Sequence, residues 1–81
     1  MTNTMKLSYI PSDKTVRVKE LNSKGAIRRR LLDLGFISGN SVTPLFSDIK
    51  KNITAYNVNG AVIALRRDDA DSILVEYDEE F

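Results

Sequence analysis

Two β-rich runs, Ile53-Thr54-Ala55-Tyr56-Asn57-Val58 and Ala61-Val62-Ile63-Ala64-Leu65-Arg66, are separated by Asn59-Gly60 alone. A two-residue connection of that composition is a type I′ turn, and it dictates an antiparallel hairpin of fixed register. Val58 then faces Ala61, Tyr56 faces Ile63 and Thr54 faces Leu65 on one side, with Ala55 opposite Ala64 on the other. Both sides carry apolar residues. Such a hairpin is expected as part of a small barrel rather than as a ribbon with one wet face.

The remaining segments read as partners for this hairpin. Lys6 to Lys14 holds apolar anchors at Leu7 and Ile10, then a Pro11-Ser12-Asp13 turn signal. Thr15 to Leu21 alternates with period two, which puts Val16, Val18 and Leu21 inward and Arg17 and Lys19 outward. Residues 26–34 change period: Ile27, Leu31 and Leu34 fall at i, i+4 and i+7, one face of a short helix. Ser23 is placed to cap its start, and Gly35 to stop it with Phe36 closing the cap. Ile37 to Asn40 reads as a turn, with Gly39 supplying a positive φ and Ser38 or Asn40 bonding locally. A strand follows from Val42 to Ile49, and Pro44 within it demands an edge or a bulge. Residues 67–71 resemble one helical turn, and Ile73 to Val75 a last short strand. Residues 1–5 and 78–81 read as frayed tails of a single domain spanning 1–81, the acidic tail beginning near Tyr77.

This order of strand, helix, strand, hairpin, helical turn and strand describes a mainly β fold. It is a small, partly open barrel of about five strands, with one short α-helix between the first two main strands. With 81 residues, 42% of them apolar, only one thin core is available. Cysteine and histidine are both absent, so neither a disulfide nor a metal clip can reinforce it.

The same absences narrow the function. Nucleophilic catalysis by a Ser-His-Asp or Cys-His arrangement is excluded. Gly25, Gly35, Gly39 and Gly60 have neither P-loop nor dinucleotide spacing. The chain therefore reads as a non-enzymatic protein without catalytic residues or cofactors. Ferrous iron and zinc favour imidazole or thiolate, so no transition-metal site is expected. The acidic Asp68-Asp69-Ala70-Asp71 run reads as dipole-favoured residues opening a helical turn, rather than as a hard-cation site. The longest apolar run, Gly60 to Leu65, is far short of the roughly 20 residues a membrane helix needs. The opening Met-Thr-Asn-Thr-Met-Lys lacks the apolar region of a signal peptide, and a cytoplasmic location is expected.

Two stretches resemble the FeoA family (ferrous iron transport protein A). Arg30-Leu31-Leu32-Asp33-Leu34-Gly35-Phe36-Ile37-Ser38-Gly39-Asn40-Ser41-Val42 is similar to that family's Arg-Leu-x-x-Leu-Gly-apolar-x-x-Gly-x-x-Val pattern. Gly60-Ala61-Val62-Ile63-Ala64-Leu65-Arg66, followed by Ala70, Ile73 and Val75, resembles its Gly-x-x-Ile-Ala-Leu-Arg ending. Pro11-Ser12-Asp13 departs from the family's usual Pro-Gly. The resemblance implies an SH3-like barrel and an accessory role in ferrous iron uptake, binding and modulating a FeoB-type membrane transporter through its cytosolic region. The membrane is then met only through that partner, and no nucleic acid is expected. Family-level transition-metal binding is discounted here because the soft ligands are missing.

Charge suggests where such a partner docks. Residues 1–51 hold ten Lys/Arg against four Asp/Glu, and residues 52–81 two against seven. That asymmetry fits either a polar interaction surface or a self-complementary fold. Arg28-Arg29-Arg30 on the short helix form a basic patch with Lys24, or an ordinary solvated face with Asp33 in reach of Arg29 or Arg30. The candidate partner-binding residues are Arg28, Arg29, Leu32, Gly39 and Asn40, from the helix and the loop behind it. Two alternatives stand beside this reading: an SH3-like nucleic-acid-binding module resting on the basic half, and a structural barrel that self-associates through an edge near Pro44. Phe36, Phe46 and Tyr56 are read as core rather than as the lining of a proline-peptide groove.

Overall fold

The hairpin anchors one end of the sheet. In the computed structural model, which describes residues 2–78, β4 (Ile53–Val58) and β5 (Ala61–Arg66) pair in the expected register, Tyr56 opposite Ile63 and Ala55 opposite Ala64. Asn59 and Gly60 take φ of 51° and 91°, the two positive values that a type I′ turn requires. Asn57 tightens the turn, its side-chain oxygen accepting from the Gly60 N–H at 2.9 Å.

Four further strands complete one antiparallel sheet. β1 (Thr2–Lys6), β2 (Val16–Leu21), β3 (Ser41–Ser47) and β6 (Ile73–Asp78) join the hairpin in the order β1-β6-β2-β3-β4-β5. A 3₁₀ turn (Leu7–Tyr9) follows β1, the helix α1 (Gly25–Asp33) lies between β2 and β3, and α2 (Arg67–Asp71) precedes β6. The end strands β1 and β5 do not pair with each other, so the sheet is open.

The sheet has six strands where about five were expected, and the tails are corrected. Residues 2–5 are not a frayed tail, because β1 pairs along its length with β6, from Thr2 opposite Asp78 to Lys6 opposite Leu74. Tyr77 and Asp78 likewise belong to β6. Alternation in Thr2–Lys6 is hidden by its polar residues, and its ladder is made by backbone groups that composition does not report. Residues 79–81 of the expected tail lie outside the described residues.

Pro44 sits at a bulge. The β3–β4 register shifts between Pro44 and Phe46, which accommodates a residue that cannot donate to the ladder. The Pro44 carbonyl accepts from the Asp13 N–H at 2.7 Å. Asp13 itself has φ 69°, the left-handed geometry for which aspartate is one of the tolerated residues. The turn that departs from the Pro-Gly pattern is therefore built by Asp13.

The core lies within the curl of the sheet: Leu7, Val16, Val18, Val42, Val58, Leu65, Ile73 and Val75 from the strands and the 3₁₀ turn, sealed by Leu31, Phe36 and Tyr56. Each such side chain contributes roughly 1.5–3 kcal/mol on burial, and with no covalent staple this is what opposes chain entropy. Phe46, expected inside, is 66% exposed, because the bulge rotates it out of the alternation that buries Val42 and Pro44.

Candidate functional site

The helix α1 is held to the sheet at few points, and that fact shapes the site. Its C-terminus is closed by a paired cap. The Gly35 N–H reaches the Leu32 carbonyl at 3.0 Å, and the Phe36 N–H reaches the Leu31 carbonyl at 3.1 Å. Gly35 has φ 107°, and a Cβ there would meet Val58 Cγ1 at 3.2 Å, so the glycine serves both the turn and the close approach of helix to sheet. Leu31 and Phe36 are fully buried and clamp this end.

The other end is held differently from the expectation. Ser23 does not cap the helix: its hydroxyl is buried without a hydrogen-bond partner among the described residues, and Lys24 occupies the cap position without a side-chain bond. Instead, Arg28 Nη1 donates to the Leu21 carbonyl at 3.1 Å. Nor does the expected apolar face bury as a unit. Ile27 is 50% exposed and Leu34 36%, leaving Leu31 alone of the three in the core. Ile37, in the loop behind the helix, is 49% exposed.

The five candidate residues divide accordingly. Arg28 and Arg29 are exposed and Leu32 is half-buried on α1. Gly39 and Asn40 lie on the loop that returns from the helix, and their evident work is structural. The Gly39 N–H donates to the Val18 carbonyl at 2.8 Å, the Val18 N–H donates to the Asn40 carbonyl at 2.9 Å, and Asn40 Nδ2 donates to the Gly35 carbonyl at 2.9 Å. Arg30 does not pair with Asp33; it reaches Asp69 of α2 at 2.6 Å. Arg29 has no hydrogen-bond or ion-pair partner among the described residues. What α1 and the loop behind it expose is thus Arg28 and Arg29 on one side of the helix and Ile27, Leu34 and Ile37 on the other, a mixed apolar and cationic surface. Helical period finds its cationic half. Its apolar half reads as core from sequence, since periodicity does not say how closely a helix approaches a sheet.

A second feature has no signature in the sequence. A cleft of about 550 Å³ opens between the 3₁₀ turn and its following loop, β3, β4 and α2. Ser8, Ser47, Thr54, Tyr56, Lys51, Arg67 and Asp71 supply its polar lining, with Tyr9, Pro11 and Pro44 among its apolar walls. The Ser8 hydroxyl donates to Asp71 Oδ1. Burial raises the Tyr56 phenol above the usual tyrosine value of 10.0; a bond with the Thr54 hydroxyl opposes this, and the charge of Asp71 adds to it. The phenol oxygen accepts from the Thr54 hydroxyl, which leaves its own proton to donate. Ser47 Oγ and Thr54 Oγ1 are 2.9 Å apart and continue the hydroxyl chain.

The acidic run on α2 is dispersed. Asp69 turns to Arg30 and Asp71 to Ser8, while Asp68 is exposed. Among the described residues no group of three or more carboxylates, histidines or cysteines is gathered as a metal site. No helix of the described residues is long and apolar enough to cross a membrane.

Comparison with known proteins follows the same outline. The family model of the FeoA domain matches residues 5–77. The chain is 32% identical over 77 residues to the Fe(2+) transport protein A/Fe(2+) transporter FeoB fusion protein of Porphyromonas gingivalis, covering 89% of this chain and 8% of that protein. The chain therefore spans only a small fraction of that relative. Among solved structures it is similar to the FeoA protein of Chlorobium tepidum, with 32% identity and a TM-score of 0.82 over 88% of this chain and 68% of that one. It is also similar to Stenotrophomonas maltophilia FeoA complexed with zinc, described as a prokaryotic SH3 domain protein, with 26% identity and a TM-score of 0.79 over 90% of this chain and 95% of that one. The fold is SH3-like and mainly β.

Proposed function

This chain belongs to the FeoA domain family, and on that premise we propose that it is a small cytoplasmic accessory protein of ferrous iron uptake that binds and modulates a FeoB-type transporter. The observation that carries the reading is the Porphyromonas gingivalis relative, in which one chain joins transport protein A to the transporter FeoB. A covalent link holds two modules at millimolar effective concentration, which is useful when the separate modules act on each other.

The α1 face supports that reading. Ile27, Leu34 and Ile37 leave apolar area uncovered, and Arg28 and Arg29 are exposed on the same helix, so it carries both the apolar anchors and the arginine that protein interfaces favour. Iron need not touch this chain for such a role, which agrees with the absence of histidine and cysteine.

The test is to map the face. Ile27→Ser combined with Arg29→Glu changes two exposed residues and should leave the fold intact, as a dispersed proton–nitrogen spectrum checks. The variant is expected to lose at least about tenfold in affinity for the transporter's cytosolic region. An intact variant that binds as the parent does would remove α1 as the docking face.

A further inference from the structure

The cleft beside α2 has no part in the docking face, and its chemistry is one-sided. Its lining contains two cations, Lys51 and Arg67, against one carboxylate, Asp71. That carboxylate accepts the Ser8 hydroxyl, and its charge acts on the Tyr56 phenol, so an anion is favoured toward the Lys51 and Arg67 side. Hydroxyl groups of Ser47, Thr54 and Tyr56 line one wall as a bonded chain, in which Thr54 donates to the Tyr56 oxygen and the Tyr56 proton is left to donate.

The Arg67 guanidinium is fixed in place. Arg67 Nε donates to the Lys51 carbonyl and Nη2 to the Lys50 carbonyl, both at 3.2 Å, and the Arg67 backbone N–H donates to the Asn52 carbonyl at 2.8 Å. These bonds leave Nη1 without a partner among the described residues. Lys51 has φ 58°, a left-handed conformation that a lysine rarely adopts. Strain of this kind persists only where surroundings enforce it, and it gathers at ligand clamps. Here the β3–β4 turn holds it, the Lys51 N–H donating to the Asp48 carbonyl at 2.9 Å, and Arg67 bonds the Lys51 carbonyl from the cleft side. An arginine whose ordering entropy is already spent binds an anion at lower cost than a free one.

We propose that this cleft is a binding site for an oxyanion, a carboxylate or a phosphate, held between the Lys51 ammonium and the Arg67 guanidinium with the Tyr56 hydroxyl as a neutral donor. The cleft volume lies within the range of small-molecule sites, so the anion can be a free metabolite-sized ion or an acidic group carried on a peptide. The Tyr56 phenol, like any tyrosine, is protonated at neutral pH and is able to donate. Charge-assisted bonds of this sort are stronger than neutral ones and are weakened by salt.

The experiment is a proton–nitrogen spectral titration of the full chain with inorganic phosphate in one arm and N-acetyl-glutamate amide in the other. Sodium chloride at matched ionic strength is the control. Saturable shifts confined to Ser8–Ser12, Ser47, Lys51–Thr54, Tyr56 and Arg67 are expected in at least one arm. Saturation by phosphate alone identifies a free oxyanion, and saturation by the glutamate amide an acidic peptide group. Lys51→Gln is expected to weaken binding roughly fivefold, and Tyr56→Phe, which keeps the ring and its packing, by a comparable factor. Shifts that chloride reproduces at equal ionic strength would overturn the proposal. So would saturation that neither variant alters.

Discussion

Arg30 on α1 and Asp69 on α2 form an ion pair at 2.6 Å that ties the basic first part of the chain to the acidic last part. The arginine side chain is 59% exposed and the aspartate 17%, so solvent screens much of the attraction. Asp69→Asn should cost no more than about 1 kcal/mol in low salt, and less in high salt. For a domain of this size that is a fall of roughly 4–8 °C at most in Tm. Thermal melts of parent and variant at two salt concentrations check it; an equal difference at both would show that the pair acts through packing instead.

Gly35 carries a heavier requirement. Its φ of 107° adds a backbone penalty for any other residue, and Val58 Cγ1 would stand only 3.2 Å from an added methyl group. Gly35→Ala should destabilise the fold by about 2–4 kcal/mol, whereas Gly60→Ala, with open space around it, should cost only about 1–2 kcal/mol. Urea unfolding of both variants gives the comparison, and equal losses would mean that the contact with Val58 relaxes freely.

The two phenylalanines nearest the helix and the bulge should separate sharply. Phe36 is fully buried and closes the α1 cap, so Phe36→Ala should cost about 3–5 kcal/mol. Phe46, two-thirds exposed, should tolerate Phe46→Ser with a loss below about 1 kcal/mol. Chemical denaturation reports both, and similar losses at the two positions would contradict the placement of Phe46 outside the core.

Tyr56 predicts an alkaline limit to stability. Its folded pKa is raised above the unfolded value of 10.0, chiefly by burial, so the folded state prefers the protonated phenol. The sign follows: this stabilisation is fully present below the unfolded pKa and is lost as pH climbs through the folded one. Stability should therefore decline above pH 10, and Tyr56→Phe should flatten that part of the profile. An unchanged slope in the variant would assign the loss to other groups.

How much of this is legible in the sequence depends on the range of the forces involved. Asn59-Gly60 sets the hairpin register residue by residue, and the Leu31/Gly35/Phe36 cap is written in local chemistry that needs no distant partner. The mainly β order, with one helix between the first two main strands, follows from the same local periods. The sixth strand does not, because Thr2–Lys6 gains its order from backbone pairing with β6, at the far end of the chain. At the candidate site, Arg28 and Arg29 are identifiable as surface charge. Ile27, Leu34 and Phe46 read as core yet lie partly or largely in solvent, since periodicity shows which residues share a face but not whether another element covers it. The cleft is invisible at that level: Ser8, Lys51, Tyr56 and Arg67 meet only through the tertiary fold, and no spacing between them signals it.

The proposed contact with a FeoB-type transporter is tested most directly by calorimetric titration of this protein into the purified cytosolic region of a FeoB from the same organism, with and without guanine nucleotide. Saturable binding with defined stoichiometry is the predicted result, and a change of affinity between nucleotide states would show that modulation follows the state of the transporter. No heat of binding in any nucleotide state, with both components folded, would contradict the account.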